Sequence, residues 1–217
     1  MSLSKLRRRL RRTLPDAQLE LVELPKCRGL KLALINADYP QGPLQPEVMR
    51  AVISEPAYWS FCWGSGLALA QRLMTGRQDV RGLTVLDLGS GSGVAGIAAA
   101  LAGAGRVIAC DIDKDACLAT AVNAEINGVA IDVIDDLTNL GRRADLVLLA
   151  DMLYDRANFG LIDLVKNVGQ KVLIADSRIK ELSRDDFELI DETEARTMPN
   201  LGEFDEFRQV RFFSSRD

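Results

Sequence analysis

One short stretch of the chain, from Thr84 to Leu101, restricts the fold more than any other. Its apolar residues Val85, Leu86 and Leu88 are typical of a strand that is covered on both faces. Alternate glycines follow, and the alanine-rich residues from Val94 favour a helix. A helix that begins beside glycines offers a ligand free N–H groups and the positive end of its dipole. The stretch therefore predicts a strand, a turn that can approach a ligand closely, and a helix.

Strands and helices continue to alternate after this stretch. Strands are predicted at 84–88, 106–110, 129–134, 145–150 and 171–175, and helices at 94–102, 114–127 and 156–168. Such alternation predicts a parallel sheet with right-handed crossovers. Two later runs, 187–190 and 207–213, have little helix between them and should pair antiparallel. We expect an α/β fold whose sheet has seven strands, is mostly parallel with a C-terminal antiparallel pair, and carries helices on both faces.

The residues before this alternation form a different kind of segment. We expect residues 1–54 to be a helical or irregular extension that packs on the core, and residues 55–217 to be the ligand-binding domain. A helix is predicted at 3–14, with leucines on one stripe and arginines around it; it is either a cationic arm for an acidic partner or membrane, or an ordinary solvated helix. Residues 19–35 are either a strand pair or an irregular cover.

An aromatic segment stands between the extension and the sheet. Four aromatic residues lie between Tyr58 and Trp63, directly before a Gly-Ser-Gly sequence that begins an apolar helix. Aromatic faces suit flat rings and cations, so the segment can form a ligand wall. It can equally be a hydrophobic lid over the edge of the sheet.

Composition excludes several classes of function. The chain of 217 residues contains no histidine, which excludes Ser-His-Asp and Cys-His catalysis, and its four cysteines have no zinc spacing, so we expect no metal site. No apolar run reaches the length of a membrane span, and the basic residues up to Arg12 are not followed by the apolar run of a secretory signal. We therefore expect a cytoplasmic protein that does not bind a membrane. A net charge of −4 argues against stable nucleic-acid binding. We expect a monomer.

The glycine turn is compatible with two kinds of ligand. Gly91, Gly93 and Gly96 match the dinucleotide fingerprint, with Asp111 about twenty residues further on, so a nicotinamide-dependent oxidoreductase is one alternative. However, Asp87 stands before the turn, where a carboxylate would attract a cationic group and repel a pyrophosphate. The antiparallel end of the sheet and the lack of a visible second domain also count against a dinucleotide enzyme.

The aspartates that end successive strands carry a resemblance to a known family. The glycine run begins as Asp87-x-Gly89-x-Gly91-x-Gly93; Asp111 ends the second strand, Asp135 and Asp136 the third, and Asp151-x-x-Tyr154 the fourth. This pattern resembles the class I, seven-strand S-adenosylmethionine-dependent methyltransferases. With Gln45-Pro46-Glu47 and the segment 56–70, it resembles their family-16 group, which includes the electron transfer flavoprotein β-subunit lysine methyltransferases and bacterial relatives.

The resemblance implies a cofactor, S-adenosyl-L-methionine, and roles for individual residues. The turn from Gly89 to Gly93, including Ser90 and Ser92, would hold its methionine and ribose parts. Asp111 would accept both ribose hydroxyls, Ile112 would lie against the adenine, and Asp135 or Asp136 would accept from its amino group. The cofactor-binding residues implied in this way are Trp63, Asp87, Gly89, Ser90, Gly91, Ser92, Gly93, Asp111, Ile112, Asp135, Asp136 and Ala150.

The resemblance also implies the acceptor. Asp151 and Tyr154 would lie beside the transferred methyl, and no Asn-Pro-Pro-Tyr motif of amide and adenine methyltransferases is present. A protein lysine, in the electron transfer flavoprotein β subunit or another protein, is therefore favoured. A small-molecule or nucleic-acid methyltransferase, and a cofactor-binding protein without activity, stay alternatives.

Overall fold

The centre of the molecule is a seven-stranded sheet. The computed structural model describes residues 2–153, 156–202 and 204–216. The strands of the sheet are β3 (Thr84–Leu88), β4 (Arg106–Cys110), β5 (Asp132–Ile134), β6 (Ala144–Ala150), β7 (Gly169–Asp176), β8 (Phe187–Glu194) and β9 (Gln209–Ser215). Their order is β5-β4-β3-β6-β7-β9-β8, with β3 to β7 parallel and β9 antiparallel to both of its neighbours. The predicted fold class is thereby confirmed.

Helices cover both faces of the sheet. They are α3 (Gly64–Met74), α4 (Val94–Leu101), α5 (Lys114–Ile126) and α6 (Leu161–Val168). Successive residues of β3 point to opposite faces, as the pleat requires. Val85 lies in the apolar core that α3 and α4 share, and Leu86 lies in the core beneath α6. This two-sided burial explains why the sequence of β3 is continuously apolar rather than alternating.

The N-terminal extension contains two helices and a strand pair. These are α1 (Leu3–Thr13), β1 (Leu19–Glu23), β2 (Lys31–Ile35) and α2 (Pro46–Ser54), so the strand-pair interpretation is the correct one. Leu6 and Leu10 of α1 form a third apolar cluster with Trp59 and Ala119. The amide oxygen of Asn123 in α5 accepts a hydrogen bond from the N–H of Ala33 in β2 (2.8 Å). The extension thus packs on the α5 side; the division at residue 54 remains a prediction.

Some predicted boundaries differ from the observed ones. The third strand begins at Asp132 rather than at residue 129, since Gly128, at a φ of +65°, ends α5 in a turn. Residues Arg156–Gly160 form a 3₁₀ turn before α6. Strand β8 extends to Glu194 because, as an edge strand largely exposed to solvent, it needs no apolar residues to stay paired with β9.

Among the residues that the structure describes, no helix is both long enough and apolar enough to cross a bilayer.

Candidate S-adenosylmethionine site

Three glycines form the turn between β3 and α4. Gly89, Gly91 and Gly93 have φ values of +70°, +52° and +81°, a region that side-chain-bearing residues avoid. A Cβ atom added to Gly91 would have no neighbour nearer than the carbonyl oxygen of Gly89, at 4.0 Å. The backbone at Gly91 is therefore open on the side from which a ligand would approach.

The other two glycines of the turn are in close contact with the protein. A Cβ atom on Gly89 would overlap with the sulfur of Met152, and one on Gly93 would lie 3.0 Å from Thr120 of α5. Met152 thus covers the junction of β3 and β6. Sequence reasoning missed this residue, because only the fold brings it against Gly89.

The serines of the turn point into the protein. The buried hydroxyl of Ser90 forms a hydrogen bond with the hydroxyl of Thr120 (3.0 Å), and the carbonyl of Ser92 accepts from the side-chain amide of Asn123 (2.8 Å). These bonds fix the turn on α5. A role of Ser90 and Ser92 in cofactor binding stays a prediction, and it would involve their backbone.

Asp87 lies beneath the turn rather than at its mouth. Its carboxylate is buried and accepts a hydrogen bond from the N–H of Gly96 in the first turn of α4 (2.8 Å). Burial raises the pKa of Asp87 to about 7, and the bond from Gly96 opposes that rise. The observed partner is thus a backbone amide, and the expected position in front of the turn is corrected. That Asp87 interacts with the cofactor remains a prediction.

Asp111 and Ile112 follow β4 at the same edge of the sheet. One carboxylate oxygen of Asp111 accepts from the N–H of Gly91 (2.9 Å) and the other from the N–H of Asp113 (2.9 Å). Burial is the main cause that raises the pKa of Asp111. Each oxygen keeps a further lone pair for a hydroxyl. Ile112 is 92% exposed, an unusual position for an isoleucine unless a ligand covers it.

The aspartates after β5 have different environments. Both are exposed, but Asp136 accepts from the N–H of Thr138 (2.8 Å) and so begins the 3₁₀ turn Leu137–Leu140. That backbone hydrogen bond is the first cause that lowers the pKa of Asp136. Asp135 follows Ile134 directly, at the end of β5. Of the two, Asp135 is therefore the better candidate for the adenine amino group.

Asp151 joins the end of β6 to the start of α3. Its φ is +51°, and its carboxylate accepts from both the hydroxyl (2.5 Å) and the N–H (3.1 Å) of Ser65. Ser177 donates to the same carboxylate at 3.4 Å. Burial is the main cause that raises the pKa of Asp151, to about 6, and the hydroxyl of Ser65 opposes that rise. The half-buried Ala150 precedes it as the last residue of β6. Tyr154, the second predicted catalytic residue, lies outside the described residues.

The aromatic segment lies at the same helix start. Trp63 directly precedes α3, and its ring N–H donates to the carbonyl of Tyr58 (3.0 Å). The ring centroids of Tyr58 and Phe61 lie 5.8 and 5.4 Å from that of Trp63. Ser65, which bonds to Asp151 at the end of β6, follows Trp63 by two residues. The half-buried Trp63 is therefore close in the chain to the contact between α3 and the end of β6. Ser65 itself was missed; the Gly-Ser-Gly helix start was its only signal in the sequence.

Known structures share this architecture. The ribosomal protein L11 methylase from Lactobacillus delbrueckii subsp. bulgaricus superposes with a TM-score of 0.53, at 25% identity, over 70% of this chain and 79% of that one. Magnesium protoporphyrin IX methyltransferase from Synechocystis, with bound S-adenosylmethionine, gives 0.54 at 16% identity over 82% and 88%. Residues 68–173 match the model of the ribosomal protein L11 methyltransferase (PrmA) family. The chain thus has the fold of the class I, seven-strand methyltransferases.

Curated relatives make the assignment more particular. The chain is 44% identical to the human electron transfer flavoprotein β-subunit lysine methyltransferase over 105 residues, which are 47% of this chain and 40% of that protein. It is 51% identical to the ribosomal protein L11 methyltransferase of Pelotomaculum thermopropionicum over 79 residues, 33% of this chain and 26% of that protein. The chain therefore spans less than half of the length of these two relatives.

Proposed function

We propose that this protein transfers a methyl group from S-adenosylmethionine to the side chain of a protein lysine. The observation that carries the cofactor assignment is the turn at Gly89–Gly93, whose backbone is open at Gly91 beside the carboxylate of Asp111. The exposed Ile112 supports it, because an adenine ring would cover that apolar surface. The cradle fits a nucleoside with an attached amino acid.

Each part of the cofactor has candidate partners in the chain. Asp111 would accept from the ribose hydroxyls and Asp135 from the adenine amino group, while the glycine turn would hold the amino-acid part. Trp63 would form a wall of the site. When bound, S-adenosylmethionine would supply a methyl group on a sulfonium sulfur, and a neutral amine could attack that methyl with S-adenosylhomocysteine as the leaving group. The contribution of the protein is to position the amine in line with that methyl.

Asp151 would orient the incoming amine and accept its proton, directly or through water. With a pKa of about 6, its carboxylate is ionised at neutral pH. The bonds from Ser65 fix the direction of the carboxylate while leaving lone pairs for the amine. A nearby anion raises the pKa of a lysine, whereas removal from water lowers it, so the site needs both effects in balance.

The acceptor is proposed from sequence similarity. The match to the electron transfer flavoprotein β-subunit lysine methyltransferases favours that subunit. The family model favours ribosomal protein L11 as a second candidate acceptor. We propose further that the protein is a cytoplasmic monomer that holds neither nucleic acid nor a membrane stably.

Radiolabelled methyl transfer tests this function directly. The purified protein is incubated with labelled S-adenosylmethionine and a host lysate, with purified electron transfer flavoprotein or with purified L11. Label in a lysine of the flavoprotein is the expected result. Label in small amines but in no protein would contradict the proposed acceptor class, and thermal stabilisation by nicotinamide dinucleotides but not by S-adenosylmethionine would contradict the cofactor.

A further inference from the structure

We infer that the cationic face of α1 is a docking surface for an acidic patch on the protein substrate. This inference rests on the proposed function. The cationic face consists of Lys5, Arg7, Arg8 and Arg11. All four side chains are exposed, and among the described residues none of them forms an ion pair. Helix α1 carries no acidic residue, although the chain as a whole has a net charge of −4.

The helix is attached to the adenosine side of the candidate site. Arg9 forms an ion pair with Asp115 in the first turn of α5 (3.3 Å). Asp113, which caps the same helix, donates its backbone N–H to the carboxylate of Asp111. Since Asp115 donates its N–H to the carboxylate of Asp113 (2.8 Å), three direct contacts connect α1 to the residue proposed to hold the ribose.

The helix is attached to the aromatic segment as well. Arg12 forms an ion pair with Glu55 (3.3 Å), and the hydroxyl of Thr13 donates to the backbone carbonyl of Glu55 (3.1 Å). Glu55 directly precedes the segment that contains Trp63. The buried Leu6 and Leu10 pack in one cluster with Trp59. The cationic face therefore lies beside both the adenosine side of the candidate site and the aromatic segment, where a bound protein would reach it.

The chemistry of the surface favours a protein over a membrane or RNA. Leu6 and Leu10 of α1 are buried and Leu3 is partly buried against the same cluster, so the helix has no free apolar face to insert into a bilayer. The neighbouring edge carries Asp111, Asp113, Asp135 and Asp136, which would repel the continuous phosphate backbone of RNA. A folded protein can instead place an acidic patch on α1 and a lysine at the acidic edge, so that both contacts are attractive.

Charge reversal tests the inference. The variants are Arg8→Glu, Arg11→Glu and the double variant, and each is compared with the wild type. The assay measures incorporation of labelled methyl from S-adenosylmethionine into protein of a host lysate and into purified electron transfer flavoprotein. Each reaction is run at low salt and in 0.5 M NaCl. Arg28→Glu is the matched control, since Arg28 is an exposed arginine in the β1–β2 turn, near the opposite end of α5. Cofactor affinity is measured by calorimetry with S-adenosylhomocysteine, and circular dichroism verifies folding.

The expected result is a fall of about tenfold in kcat/KM for the double variant at low salt, through KM, with unchanged kcat and cofactor affinity. The loss should disappear in 0.5 M NaCl, and Arg28→Glu should have no effect. Unchanged KM in the double variant or an equal loss in Arg28→Glu would overturn the inference. Binding of a single-stranded RNA and of anionic vesicles is measured in parallel, and a loss confined to either of these would overturn it as well. A wild type that labels no protein would instead refute the proposed function, and the docking surface with it.

Discussion

At the scale of single residues, the carboxylates at the strand ends already accept hydrogen bonds from backbone N–H groups of the protein. Asp87 accepts from Gly96, Asp111 from Gly91, and Asp151 from Ser65. Each bond fixes a loop or a helix start in the position that a ligand would need. The aspartates therefore act as parts of the scaffold and as candidates for binding at once, which is possible because a carboxylate has about four acceptor positions.

The first prediction concerns the pH dependence that Asp151 should impose. Its pKa is raised to about 6 and its carboxylate must be ionised to accept a proton, so kcat should fall as the pH drops below about 6. Asp151→Asn should lower kcat at least about 100-fold and remove this acidic limb. Affinity for S-adenosylhomocysteine should stay within a factor of two. A variant that keeps the wild-type profile would show that another group titrates.

The second prediction compares two glycines with similar backbone angles. Gly89→Ala should destabilise the protein by about 3 kcal/mol, since a left-handed alanine costs about 1 kcal/mol and the overlap with Met152 costs about 2 more. It should also abolish binding of S-adenosylhomocysteine. Gly128→Ala, at a φ of +65° with open space around it, should cost only the first part and leave binding intact. Urea unfolding and calorimetry distinguish the two, and equal losses of stability would refute the role of Met152.

At the scale of elements, the contact between α3 and β6 is the link between the aromatic segment and the proposed catalytic carboxylate. Ser65 makes it with one hydroxyl and one backbone N–H. Because the N–H is at the start of a helix, it carries part of the positive end of the helix dipole. The carboxylate is thus held mainly by the start of a helix, with Ser177 after β7 as a further, longer donor.

The third prediction tests this link. The hydroxyl of Ser65 lowers the pKa of Asp151, so Ser65→Ala should raise that pKa and move the acidic limb of kcat to higher pH. At pH 8 the variant should regain most of its activity, because the carboxylate is ionised again. Ser54→Ala is the control, since Ser54 is exposed and donates only to the carbonyl of Ala51 in its own helix. A uniform loss of kcat at all pH values would indicate a purely structural role.

Sequence reasoning located elements well where local signals agree. It placed β3 and β4 at their observed ends, because glycine or charged residues bound their buried apolar runs. It ended β8 too early, at residue 190, because the outer part of an edge strand has no apolar signature. The glycine turn was predictable for the same local reason, since its residues are adjacent in the chain.

At the scale of the whole molecule, the sequence did not predict which distant segments of the chain contact one another. Ser65 and Asp151 are 86 positions apart, and Met152 reaches Gly89 only because β3 and β6 are neighbours in the sheet. A single sequence gives no pairing of this kind. The sequence also could not predict that α1 contacts the adenosine side of the site and the aromatic segment, because its arginines are equally typical of an ordinary solvated helix.

The extension should contribute to stability as well as to the site, which leads to the fourth prediction. Leu10 is fully buried in the cluster that α1 forms with Trp59 and Ala119. Leu10→Ala should therefore lower the free energy of unfolding by about 3 kcal/mol, from lost burial and the cavity left behind. Leu21→Ala, at a position that is 55% exposed in β1, should change it by less than about 0.5 kcal/mol. Both values come from urea unfolding monitored by circular dichroism.

The same substitution shows whether the extension and the sheet unfold together. The cluster joins α1 to α5, and Thr120 and Asn123 of α5 bond to Ser90 and Ser92 of the glycine turn. Asp113, which caps α5, bonds to Asp111. A single cooperative transition, shifted to lower urea in Leu10→Ala, would mean that α1 is an integral part of the ligand-binding unit. An early transition that leaves binding of S-adenosylhomocysteine intact would mean that α1 detaches alone. We expect the first result, because α1 contacts the sheet domain through buried leucines as well as surface ion pairs, and buried apolar contacts provide most of the cooperativity of small domains.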